Sequence, residues 1–167
     1  MFHKNKLCNK LNKHLLILFL FCLPFFVFSQ KINLITIDQL NDRINKGKDT
    51  TYVINFWATW CVPCIKEMPA FEKFEQNFKA EKIKVLLISV NFKSELNNSV
   101  LPFIKSKNLK SEIFLLDEKD PQEYINRIDS SWSGAIPSTL FIKNEKHIFF
   151  EKDLTYDDLL KEYTSIK

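Results

Sequence analysis

The run Tyr52-Val53-Ile54-Asn55-Phe56-Trp57-Ala58-Thr59-Trp60-Cys61-Val62-Pro63-Cys64 decides how the rest of the chain is read. Its first six residues are mostly β-branched or aromatic, the composition of a buried central strand. Ala58-Thr59-Trp60 links that strand to a helix, because Met68, Phe71, Phe74 and Phe78 then recur at three- and four-residue steps and share one helical face. Cys61 therefore falls where strand ends and helix begins. Unsatisfied amide N–H groups and the positive end of the helix dipole favour a thiolate there, so its pKa is expected to be depressed. Cys64, one turn further in, faces the body of the protein and is placed to resolve a mixed disulfide formed at Cys61. Pro63 removes a backbone donor between them and limits flexibility, which tunes how readily the pair stays oxidised.

Working outward, a short strand is expected near 32–37, a polar helix from about 38 to 45, and a turn at Lys46-Gly47-Lys48-Asp49. Beyond the cysteines come a buried strand over 85–90, a helix from about 99 to 107, a strand over 112–116 and a helix over 121–128. Two adjacent strands follow, near 139–142 and 147–151, the hairpin between them turning at Asn144 for want of a glycine. Thr155 suits the N-cap of a last helix, with Asp157 and Asp158 complementing its dipole. Strands alternating with helices imply an α/β fold of three layers, with a mostly parallel sheet and an antiparallel edge from the closing hairpin. No repeat or Pro/Gly/Ser linker divides it, so residues 30–167 read as a single domain.

The chain opens with Lys4, Lys6, Lys10 and Lys13 and no acidic residue, then runs almost wholly apolar from Leu15 to Phe28 before Ser29. This is the anatomy of a secretory signal peptide, residues 1–29, with cleavage expected between Ser29 and Gln30. The apolar run is short of the roughly 20 residues that span a bilayer, and Pro24 weakens it as a helix, so a membrane role is confined to an uncleaved anchor. Removing four lysines leaves 20 basic against 20 acidic residues and takes the net charge from +4 to zero. No basic patch then argues for nucleic acid. Cys8 and Cys22 leave with the signal, and Cys61 and Cys64 become the only cysteines. Exported proteins use cysteines to staple long loops, yet this pair closes almost none, and the domain is large enough to bury a core without it. Chemistry is the better reading of the pair. Two others stay open at this point: half of a zinc site, for which the mature chain offers only His147 as a further soft ligand, and a structural reduced pair.

Asn55-Phe56-Trp57-Ala58-Thr59-Trp60-Cys61-Val62-Pro63-Cys64, with Lys66-Glu67-Met68-Pro69 after it, resembles the exported TlpA/ResA branch of the thioredoxin superfamily. The likeness runs through nearly the whole mature chain, including the helix and strand between about residues 98 and 118 that this branch inserts into the thioredoxin fold. The resemblance implies a thiol-disulfide oxidoreductase of the periplasm or cell envelope, cycling a redox-active Cys61–Cys64 disulfide without metal or other cofactor. It implies disulfide-containing exported proteins as substrates, apocytochrome c among the family precedents, with an inner-membrane thiol donor restoring the dithiol and the chain acting as a monomer.

Position by position, Ile136-Pro137 matches the family's cis-proline loop facing the dithiol, whose backbone pairs with substrate. Trp60, Val62 and Pro63 would border the substrate, and Trp60 would shield the dithiol. Trp132 suits a substrate groove or the core equally, and Trp57 suits the core. Glu67 matches a carboxylate beside the active site that, partly buried, would exchange protons with the thiols; a solvated first-turn carboxylate is its plain alternative. Asn55 stands where plain thioredoxin has a buried aspartate, which moves the proton chemistry toward Glu67. Pro69, inside the helix, removes the hydrogen bond to the Ile65 carbonyl and should kink the axis. A dithiol oxidase or isomerase is the runner-up, since the compartment is oxidising, and a non-catalytic binding module built around Pro137 is the alternative of another class. A peroxiredoxin is disfavoured, because Thr59-Trp60-Cys61 lacks that group's Pro-x-x-x-Thr-x-x-Cys arrangement.

Overall fold

The computed structural model describes residues 32–167; the expected signal segment, its cleavage point, Cys8 and Cys22 lie outside the described residues. In chain order the elements are β1 (Asn33–Ile35), α1 (Ile37–Lys46), β2 (Thr51–Trp57), α2 (Val62–Asn77), β3 (Ile83–Ser89), α3 (Leu101–Lys107), β4 (Glu112–Leu116), α4 (Pro121–Ile128), β5 (Ser138–Lys143), β6 (Lys146–Phe150) and α5 (Tyr156–Ile166). The six strands form one sheet in the order β1-β4-β3-β2-β5-β6. β1, β4, β3 and β2 run parallel, and β5 and β6 close the sheet antiparallel. This is the thioredoxin-like α/β fold with a mixed sheet, and the insertion expected between 98 and 118 is α3 and β4.

Every residue of β2 is buried, because helices cover both faces of the sheet and leave no solvent side to alternate toward. Successive side chains of β2 part to opposite faces. Val53 and Trp57 join Val85, Leu87, Leu115 and Phe141 in one core, closed by Phe71 and Phe74 of α2 and Leu159 and Tyr163 of α5. Ile54 and Phe56 join Leu86, Ile88, Leu140 and Ile142 in the second, under Ile37 and Leu40 of α1 and Ile125 of α4. Each such side chain taken out of water contributes roughly 1.5–3 kcal/mol.

Local chemistry sets the ends of the elements. The first strand is shorter than expected, because the Thr36 hydroxyl accepts from the Gln39 N–H while the Gln39 side chain accepts from the Thr36 N–H, a capping box that starts α1 at Ile37. Thr155 caps α5 in the same way through Asp158. Asn144 adopts φ 55° in the β5–β6 turn, as its place in a hairpin without glycine requires. The helix expected from Ser99 begins instead at Leu101, after a wide turn over Leu96–Val100 in which the Leu101 N–H reaches back to the Leu96 carbonyl. Pro102 explains the offset: it has no N–H to give to the Asn98 carbonyl, so the regular ladder cannot run through it from upstream. Pro69 lies inside α2.

Candidate active site

β2 ends at Trp57, and the chain turns through Ala58-Thr59-Trp60 into α2 with Cys61 as the N-cap. The Cys61 N–H donates to the Ala58 carbonyl at 3.1 Å and fixes that turn. A second brace comes from Asn91, just beyond β3. Its Oδ1 accepts from the Thr59 N–H at 3.0 Å, and its Nδ2 donates to the Thr59 hydroxyl at 2.9 Å. Cys61 and Cys64 are joined in a disulfide with Cα atoms 5.3 Å apart. The Cys64 N–H points at Cys61 Sγ from 3.3 Å, one of the unpaired helix-end donors that would stabilise a Cys61 thiolate. Cys64 is fully buried, whereas Cys61 keeps 5% exposure. That asymmetry suits one sulfur to meet a partner and the other to resolve.

The Ile136–Pro137 peptide is cis, and the Ile136 carbonyl oxygen lies 3.7 Å from Cys61 Sγ. The loop leading to it is held at several points. Gly134 has φ 94°, and a Cβ there would stand 2.9 Å from Ile125 Cδ1, so both conformation and space call for glycine. Glu151, just after β6, accepts from the N–H and the hydroxyl of Ser133. Trp132 Nε1 donates to the Ala135 carbonyl at 2.8 Å.

Of the two places open to Trp132, the structure puts its ring in the core, 4% exposed and packed on Phe56, Tyr124 and Phe149. The ring supports the loop that leads to Pro137. Trp57 is likewise core. Trp60, Val62 and Pro63 are exposed around the disulfide, Trp60 at 63% and Val62 at 60%.

Glu67 lies one turn beyond Cys64 on α2 and is buried, so the solvated-carboxylate reading does not apply. One carboxylate oxygen accepts from Asn55 Nδ2 at 2.7 Å, the other from the Leu154 N–H at 2.7 Å. Burial pushes its pKa up to about 7, against the pull of the Leu154 and Asn55 donors and with a smaller push from the Asp153 charge. A carboxyl poised near neutrality can take or return a proton at physiological pH.

Sequence reasoning passed over Asn91, Leu154 and Thr139, which accepts from Asn55 Nδ2 at 3.1 Å. It also passed over Phe92, at 78% exposure the barest of the large apolar side chains described, which follows Asn91 and so stands next to the brace on Thr59. Thr139 had a signal, since it lies opposite Asn55 once β2 and β5 are paired antiparallel. The others are reached only through tertiary contact.

Comparison with known proteins agrees with this geometry. A family model described as the AhpC/TSA family matches residues 21–150, well over half of the chain. The sporulation thiol-disulfide oxidoreductase A of Bacillus subtilis (strain 168) is 40% identical over 104 residues, covering 61% of this chain and 56% of that protein. The thiol-disulfide oxidoreductase ResA of Geobacillus kaustophilus (strain HTA426) is 28% identical over 131 residues, covering 77% and 68%. The chain thus spans between about half and two thirds of the length of these curated relatives. In fold it is similar to a thioredoxin-related protein from Neisseria meningitidis serogroup B, with a TM-score of 0.61 and 21% identity over 71% of this chain and 86% of that one. Helix-capping disulfide, facing cis-proline loop and matched family model converge: the chain belongs to the thioredoxin-like AhpC/TSA family, with ResA and the sporulation thiol-disulfide oxidoreductase A among the proteins it is similar to.

Proposed function

We propose that this protein is a thiol-disulfide oxidoreductase of the cell envelope that reduces disulfides in exported proteins. The observation that carries the reading is the Cys61–Cys64 disulfide at the N-terminus of α2, opposite the Ile136–Pro137 loop. In the reduced enzyme the Cys61 thiolate attacks a partner's disulfide, forming a Cys61–partner bond and releasing the partner's other sulfur as a thiolate. Cys64 then gives up its proton and attacks Cys61 Sγ. The Cys61–Cys64 disulfide forms, the partner leaves with both sulfurs reduced, and two electrons have passed to it. Because Cys64 is buried, Glu67 receives its proton more readily than water does. Trp60, Val62 and Pro63 provide the apolar rim, and the backbone at Ile136 receives the partner's chain.

Export through residues 1–29 puts this chemistry outside the cytoplasm, with a membrane thiol donor closing the cycle; a secreted thiol-disulfide isomerase from Corynebacterium glutamicum is similar in fold. The test is turnover of insulin reduction together with the reduction potential of the pair. A potential near about −270 mV with turnover in wild type and none in Cys61→Ser supports a reductase, whereas one near about −120 mV would make it an oxidase. Equal activity in wild type and Cys61→Ser would leave only a binding module.

A further inference from the structure

Asn55 carries an unbalanced set of contacts. Its side chain is fully buried, and its Nδ2 is offered three acceptors: Glu67 Oε1 at 2.7 Å, Thr139 Oγ1 at 3.1 Å and the Ser138 carbonyl at 3.4 Å. Its Oδ1, equally buried, has no hydrogen-bond partner. An orphaned amide oxygen in the core costs about 1–3 kcal/mol, which makes it a feature to be explained.

The explanation lies in what Glu67 needs in each charge state. As a carboxylate it only accepts, and Nδ2 serves it. Once protonated it must also donate. Its Oε2 is committed to the Leu154 N–H at 2.7 Å, which cannot accept, so the proton belongs on Oε1. From there Nδ2 is useless and an acceptor is required. The acceptor is on the same amide: a half-turn about the last torsion of Asn55, which is soft and nearly two-fold, brings Oδ1 to Oε1. The Thr139 hydroxyl, which accepts from Nδ2 in one orientation, rotates to donate to Oδ1 in the other.

We propose that Asn55 is a positioning residue whose amide reverses when a proton reaches Glu67, so that one side chain donates to the carboxylate and accepts from the carboxylic acid, the other end of the amide going without a partner in either orientation. The proposal rests on Glu67 carrying a proton in the reaction described above. The groups that face Glu67 are few. Among the described residues, Asp153 and Leu154 reach it from the segment between β6 and α5 and the neutral Asn55 from β2, itself bonded to Ser138 and Thr139 of β5; Cys64 precedes it by one turn of α2. With the disulfide formed neither cysteine titrates, so the oxidised protein isolates the pair.

The experiment is an NMR titration of the oxidised full chain from pH 5 to 9, following the Glu67 carboxyl carbon and the Asn55 side-chain amide. The expected result is that both move with one midpoint near 7, and that the cross-relaxation contacts between the Asn55 Nδ2 protons and the Thr139 side chain, present above that midpoint, are lost below it. Asn55 signals that stay flat while Glu67 titrates would overturn the proposal, as would Nδ2 contacts to Thr139 that persist once Glu67 is protonated. Failure of the proton-carrier reading shows elsewhere: Glu67→Gln would leave the pH profile of disulfide reduction unchanged while the amide still followed the carboxyl.

Discussion

The two faces of the sheet are built from the same strands, yet they bury different chemistry. Toward α1 and α4, β2 presents Ile54 and Phe56 to Leu86, Ile88 and Leu140 in an apolar layer. Toward α2 and α5 the same strand sets Asn55 between Val53 and Trp57, opposite Thr139 and in contact with Glu67. Burying a carboxyl and an amide is costly unless both are paired, and here one amide oxygen goes without. One face is packed for stability and, through Trp132 on Phe56, holds the loop that leads to Pro137. The other gives up stability beneath the dithiol, and its polar residues are those a proton-coupled thiol reaction can use.

Substitutions on the two faces should therefore differ in kind as well as in size. Phe56→Ala, on the apolar face, is expected to lower the unfolding free energy by about 3–5 kcal/mol through lost burial and the cavity left behind. That cost should be the same at pH 5 and pH 8 in denaturant titrations; a marked pH dependence would break the contrast. Glu67→Gln is the counterpart on the polar face. The folded-state pKa of about 7 lies above the ordinary 4.5, so folding favours the protonated carboxyl. Its contribution is fully present below about 4.5 and is lost as the pH rises through 7. Relative to wild type, Glu67→Gln should become more stable by about 2–3 kcal/mol between pH 5 and pH 8; a constant difference would mean that the carboxyl does not titrate in this range. The smallest effect is expected at the surface. Phe92→Ser should leave stability within about 0.5 kcal/mol and raise KM for a disulfide peptide with apolar flanks by about tenfold or less at unchanged kcat. An unchanged KM would mean that the bound peptide does not reach Phe92.

Much of the apolar face was legible in the sequence, because burial on both sides of a central strand leaves a compositional trace over 52–57, and the bounds 112–116 and 121–128 came out as expected. The dithiol was legible for the same local reason: strand, link, cysteine and helical periodicity follow one another without a gap. What escaped depends on distant partners. Glu67 is buried by a contact to Leu154, 87 residues away, and Thr59 is braced by Asn91, 32 residues away. Trp132 could not be assigned to groove or core, because a tryptophan suits either and the course of the Gly134 loop decides between them. The wide turn before Leu101 was missed because the apolar spacing there continues through Pro102 although its hydrogen bonding cannot.

The central claim, that Cys61 attacks and Cys64 resolves, is tested most directly by presenting reduced Cys61→Ser and Cys64→Ser to a disulfide-bonded protein and separating the products without reductant. Cys64→Ser should accumulate a covalent adduct through Cys61, because nothing remains to resolve it, while Cys61→Ser, left with the fully buried sulfur, should form none. An adduct confined to Cys61→Ser would reverse the assignment, and adducts with neither would contradict the dithiol mechanism.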